Sequence, residues 1–105
     1  MHFIKPLVLT DKSFILDVRT PEEHACTQIG LPHVNKNLAD LDPLVFIREN
    51  NINADETINI LCSSGARASQ AAAMFEKAGF YNVAVIIGGI VEAEYEGIHI
   101  VRRTN

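Results

Sequence analysis

The sequence predicts an α/β fold: a mainly parallel sheet with helices on both faces. Two observations carry this expectation. Short apolar runs bounded by turn formers alternate along the chain with helical segments. Those runs turn fully apolar instead of alternating, as strands buried on both faces do.

The elements can be taken in chain order. Phe3-Ile4 is expected to add an edge strand. Ser13-Phe14-Ile15-Leu16-Asp17-Val18 is a buried strand. Thr20-Pro21-Glu22-Glu23 starts a helix, with Thr20 as N-cap, Pro21 at the first helical position and Glu23 as the capping-box partner. Asp42-Pro43 repeats the device ahead of Leu44 to Glu49, and Asn50-Asn51 turns the chain. Thr57 to Leu61 predicts a central strand. Ala66 to Ala78 is helical, with Ala68, Ala71, Ala72 and Phe75 on one inward stripe and Gly79 at the left-handed position that ends it. Val83 to Ile87 forms another buried strand, broken by Gly88-Gly89. A last helix is expected from Ile90 to Glu96, closed by Gly97.

The 105 residues, 48% apolar and 21% charged, match one modest core and a single domain over residues 1–105. A formal charge of −4 argues against nucleic acid as a partner, because phosphate neutralisation needs clustered Lys and Arg. The longest apolar stretch, Val83 to Val91, is about half a membrane span, so no membrane association is expected. The start of the chain has no secretory pattern, so the expected compartment is cytoplasmic and Cys26 and Cys62 are expected as free thiols. A packing role is the favoured reading for Cys26, with a resolving disulfide to Cys62 as its rival. His2, His24, His33 and His99 show no metal-ligand spacing, and no metal site is expected.

Chemistry concentrates in Cys62-Ser63-Ser64-Gly65-Ala66-Arg67. The cysteine sits at the carboxyl end of a buried strand, the edge where open parallel sheets bind ligands. Small residues allow the backbone to curl with its N–H groups inward, and a helix N-terminus follows. Ser63, Ser64, Gly65 and Ala66 would line the substrate site, and Arg67 would face the anion. Such surroundings favour a thiolate over a thiol, which makes Cys62 the expected nucleophile.

The chain resembles the rhodanese homology domain. Leu16-Asp17-Val18-Arg19-Thr20-Pro21-Glu22-Glu23-His24 is similar to the family's first signature and Cys62 to Arg67 to its active-site loop. Ala78-Gly79-Phe80-Tyr81-Asn82-Val83, Gly88-Gly89-Ile90 and Gly97-Ile98-His99-Ile100 follow in the family's order, so the likeness covers roughly residues 14–100. It implies a three-layer α/β/α domain with a five-stranded parallel sheet and ping-pong sulfur transfer through a Cys62 persulfide, with no cofactor. The partners it implies are a small-molecule or protein sulfur donor and a thiol acceptor; a monomer or weak dimer is expected. It further implies an Arg19–Glu23 ion pair, with Asp17 at a strand end beneath the loop. Departures are His24 in place of an aromatic, Ala93 in place of a tryptophan, and an altered segment from Thr27 to Asn35.

Two rivals remain. Cysteine phosphatases and arsenate reductases of related architecture place five residues between Cys and Arg and carry His before the Cys. Here there are four, preceded by Leu61, a tighter loop better suited to one sulfur than to a tetrahedral oxyanion. The other rival is a binding module without catalysis. The neutral Ser63, Ser64 and Ala66 do not select a donor, and Arg67 leans towards an anionic one such as thiosulfate.

Overall fold

A computed structural model of the chain describes residues 1–103. Its main sheet contains β1 (His2–Ile4), β2 (Phe14–Asp17), β4 (Val34–Asn35), β5 (Ile58–Leu61) and β6 (Val83–Ile86) in the order β1-β6-β5-β2-β4. Every pairing in it is parallel. β3 (Thr27–Ile29) and β7 (Ile100–Arg102) form a separate antiparallel ribbon. The helices are α1 (Pro21–Cys26), α2 (Pro43–Glu49), α3 (Ala66–Lys77) and α4 (Gly89–Tyr95).

The three layers follow from the two-residue period of a strand. Leu16, Ile58, Ile60, Val83 and Val85 face one way and pack with Phe46 of α2 and with Ala68, Ala71, Ala72 and Phe75 of α3. Ile15, Leu61 and Ile86 face the other way, against Ile90 of α4 and Ile29 and Ile100 of the ribbon. Cys62 continues the parity of Ile58 and Ile60, so its side chain turns towards α3 and joins the first of these cores. Phe75 centres a chain of edge-to-face rings with Phe46 and Phe80.

The local devices anticipated from the sequence are present. Thr20 and Glu23 make both bonds of a capping box, Asp42 caps α2 through the Val45 N–H, and Gly79 takes φ +96° after α3. The inward stripe of α3 is fully buried. The sequence reading did not anticipate β3, β4 and β7, nor the 3-10 turns at Pro6–Val8 and Leu38–Asp40. β3 follows α1 with no turn residue between Cys26 and Thr27. β4 has only two residues, and β7 buries Ile100 alone. None of these segments is long or apolar enough to carry a period. Among the described residues no helix is long and apolar enough to cross a membrane.

Candidate active site

Residues 62–66 connect the carboxyl end of β5 to α3. Gly65, at φ +116°, occupies the left-handed region that a side chain disfavours, and this bends the chain back over Cys62. Its N–H donates to Cys62 Sγ at 2.9 Å. The loop is held from the far side by the first turn of α4. Ile90 N–H donates to the Cys62 carbonyl at 2.9 Å, and Val91 N–H to the Ser63 carbonyl at 3.4 Å. Helix-start donors that have no intrahelical partner are thereby satisfied by the loop. Gly89 makes the approach possible: a Cβ there would stand 2.3 Å from the Cys62 carbonyl oxygen and 2.5 Å from that of Ser63.

Two expectations about the sulfur need correction. Cys62 is only 1% exposed and belongs to the core beneath α3, whereas a nucleophile at the ligand-binding edge of the sheet was expected, and burial of this sulfur counts against catalysis. The four-residue span and the bend at Gly65 fold the loop over the thiol as a roof, with Ser64 and Ala66 exposed and Ser63 and Gly65 half-buried. In place of a full ring of amides, the Gly65 N–H is the backbone donor that reaches Sγ.

The ion pairs also differ from those the resemblance implied. Arg19 does not bond Glu23. Its Nε and Nη2 bond the Asp17 carboxylate at 2.9–3.1 Å, and its remaining donors reach Thr27 Oγ1 at 2.9 Å and the Thr27 carbonyl at 2.6 Å. β2 ends at Asp17 and the chain bends at Arg19, whose N–H also donates to Asp17 Oδ1 at 2.9 Å, so the turn brings the guanidinium back onto the carboxylate. The pair is buried, with side-chain exposures of 3% and 0%, and it staples the end of β2 to the start of β3.

Glu23 turns instead to Arg67, which is therefore not aimed at the sulfur as expected. Arg67 Nη1 and Nη2 donate to Glu23 Oε1 and Oε2 at 2.6 and 2.8 Å. The bond to Arg67 is the main cause holding the Glu23 carboxyl well below the usual range, at about 2; partial burial opposes it and the Thr20 N–H assists. Arg67 is raised in turn, chiefly by Glu23.

His24 explains its own departure from an aromatic. Its ring packs edge-on to His33 with centroids 5.0 Å apart, and the two Nε2 atoms are 2.8 Å apart. His33 Nδ1 faces the Leu31 carbonyl at 2.8 Å. A carbonyl can only accept, so His33 Nδ1 donates to it, and across the Nε2 contact one ring donates to the other. Burial, and then the proximity of His33, lower the His24 pKa. This contact fastens the altered 27–35 segment to α1.

A groove of about 530 Å³ opens beside the loop. Ser63 forms its inner end; Cys26, Ile90, Val91 and Ile100 contribute its walls, and Glu94 and Arg102 stand paired at its rim. Cys26 is exposed, which corrects the packing role favoured for it from the sequence. The groove was not legible beforehand because it is assembled from α1, α4 and the β3–β7 ribbon, the part of the fold that periodicity missed.

The Rhodanese-like domain profile matches residues 5–96. The chain belongs to the rhodanese-like family. It is 35% identical over 92 residues to a sulfurtransferase of Allochromatium vinosum, an alignment covering 88% of this chain and 81% of that protein. Two solved structures show the same fold at 24% identity. The rhodanese-related protein of Thermoplasma volcanium superposes with a TM-score of 0.74 over 96% of this chain and 98% of that one. The rhodanese-like domain protein of Staphylococcus aureus gives 0.71 over 94% and 97%. The five-stranded parallel sheet and layered helices described above are the rhodanese-like architecture, with Cys62 to Arg67 between its fourth main-sheet strand in chain order and the helix that follows.

Proposed function

We propose that the chain is a sulfurtransferase that carries sulfane sulfur on Cys62. The observation that supports this most is the Gly65 N–H donating to Cys62 Sγ at 2.9 Å, at the strand end where parallel sheets bind ligands. That hydrogen bond stabilises negative charge on the sulfur, and charge on sulfur is what nucleophilic attack requires.

In the first half-reaction the Cys62 thiolate attacks the outer sulfur of a donor, forming a new S–S bond. The donor's own S–S bond breaks and its electron pair leaves on sulfite or on an alkyl thiolate. In the second half-reaction a thiophilic acceptor attacks the outer sulfur and returns Cys62 as thiolate. No metal or organic cofactor enters this scheme. Because Cys62 is 1% exposed, a donor reaches its sulfur once the Ser63–Ala66 roof shifts.

The same burial favours a second reading, a rhodanese-like module that binds a partner and does not turn over. One comparison separates the two. With a persulfide donor and cyanide, a sulfurtransferase produces thiocyanate, and Cys62→Ser reduces production to the uncatalysed background. A wild-type rate no higher than that of Cys62→Ser would assign the domain to binding alone. The four-residue span between Cys62 and Arg67 continues to disfavour a phosphatase.

A further inference from the structure

Away from the sulfur, two half-buried imidazoles meet end to end. His24 on α1 and His33, just before β4, bring their Nε2 atoms to 2.8 Å, a distance at which one proton lies between them. His33 Nδ1 donates to the Leu31 carbonyl at 2.8 Å, which fixes its ring with Nε2 turned to α1. The contact therefore depends on a proton count. With no extra proton, His24 donates to the bare Nε2 of His33. With one, the cationic ring donates to the neutral one. With two, both Nε2 atoms carry hydrogen, neither accepts, and like charges face each other at hydrogen-bond distance. The chain is tied on either side of this point. The Gly30 N–H donates to the His99 carbonyl at 2.8 Å, and the Asn35 amide donates to the Asp17 and Arg19 carbonyls. Over residues 31–33 between them, the only side-chain hydrogen bonds found among the described residues are those of His33.

Neighbouring charges do not relieve a second proton. Asp17 and Arg19, at the end of β2, act on His24 in opposite senses and are bonded to each other. On α1 itself, Glu23 is committed to Arg67 through both oxygens, while Glu22 and Cys26 line the groove. The exposed His99 packs against Gly30. Around His33, the neighbours Ser13, Phe14, Ile15, Pro32 and Val34 carry no charge. We propose that His24 and His33 form a proton-gated latch, closed while the pair holds at most one extra proton and open when both rings are cationic, which releases segment 31–33 from α1. Burial and the nearness of His33 lower the His24 pKa, so the second proton enters below the ordinary imidazole value of 6.5. The unfolded chain takes that proton more readily than the folded one. The latch's contribution is thus full above pH 6.5 and is lost as the pH falls below it. α1 stays in place meanwhile, because Glu23 titrates only at about 2 and keeps its bond to Arg67. An imidazole at position 24 keeps the edge-on ring packing that an aromatic would give, with centroids 5.0 Å apart, and adds a titratable contact to it.

Hydrogen exchange followed by peptide mass tests the latch in wild type, His24→Phe and His33→Gln, at several values from about pH 8 down to about pH 4.5. Rates are divided by the intrinsic exchange rate at each pH. In wild type, protection of the peptide covering residues 27–35 should hold steady above pH 6.5 and fall by about fivefold below it, the net contribution of one hydrogen bond. Protection of the α3 peptide should not change. His24→Phe keeps a ring and has nothing to titrate, and His33→Gln has no second imidazole to charge, so in both the fall should disappear. NMR titration of the His24 ring is the second measurement: in His33→Gln it should titrate closer to 6.5 than in wild type, because the facing ring no longer opposes its proton. A flat wild-type profile, a fall that persists in either variant, or an unchanged His24 titration overturns the latch. None of these measurements involves Cys62, so the result leaves the sulfurtransferase reading where it stands.

Discussion

The Glu23 carboxylate receives both terminal nitrogens of Arg67, at 2.6 and 2.8 Å, while its own N–H is bound by the Thr20 hydroxyl. One side chain thus caps α1 and ties it to the first turn of α3, directly after the Cys62 loop. The pair is about one-third exposed, so its worth is screened.

Glu23→Gln should therefore lower stability at pH 7 by only about 0.5–1 kcal/mol, measured by urea unfolding. The pH dependence has a definite sign. Glu23 titrates at about 2 in the folded chain against an ordinary value of 4.5. Its contribution is complete above pH 4.5 and declines as the pH falls towards 2. Wild type and Glu23→Gln should converge over that window. A gap that stays constant down to pH 2 contradicts the assignment.

Asp17 and Arg19 pose a harder energetic problem. Burial removes both charges from water, and the cost is offset because five side-chain donor contacts from Arg19 reach Asp17 and Thr27. Arg19→Met leaves the Asp17 carboxylate buried without its partner and should cost about 3–5 kcal/mol in urea unfolding. The double variant Asp17→Leu/Arg19→Met should recover most of that loss. If the single variant loses less than about 1 kcal/mol, the pair is not the staple described here.

Gly89→Ala tests whether α4 shapes the loop. The added Cβ meets two carbonyl oxygens and also demands a side chain at φ +61°. The expected cost is about 2 kcal/mol or more. In the folded fraction, sulfur loading should fall at least about tenfold, because the methyl displaces the Cys62 and Ser63 carbonyls. Gly97→Ala is the comparison: it too has positive φ, but no atom lies within 4 Å of its Cβ position. Its loading rate should match wild type.

The roof over Cys62 predicts a ranking of thiol reactivity. Cys26 is exposed and Cys62 buried. A bulky maleimide should label Cys26 at least about tenfold faster than Cys62, read by peptide mass after short exposure. Faster labelling of Cys62 means that the roof stands open in solution.

Much of this fold was legible because its signals are local. Thr20-Pro21 and Asp42-Pro43 announced two helices, Gly79 a helix end, and the apolar runs at Phe14–Asp17, Ile58–Leu61 and Val83–Ile86 the central strands. The position of Cys62 at a strand end followed from the same pattern. What stayed hidden depends on where side chains travel after the backbone is laid down. The family resemblance implied an Arg19–Glu23 pair, yet the bend at Arg19 turns its side chain back to Asp17. Glu23, on α1, meets Arg67, 44 residues away. The burial of Cys62 follows from its parity with Ile58 and Ile60, which turns the side chain into the core beneath α3, a direction that matters only once α3 is laid on that face.

The central claim is that the sulfur of residue 62 is the carrier. It is tested most directly by intact mass after brief incubation with a hydropersulfide donor, using Cys26→Ser and Cys62→Ser side by side. The account predicts one added sulfur atom on Cys26→Ser, removable by a thiol reductant, and none on Cys62→Ser. Uptake by Cys62→Ser with none on Cys26→Ser would make the exposed thiol of α1 the carrier and contradict the account.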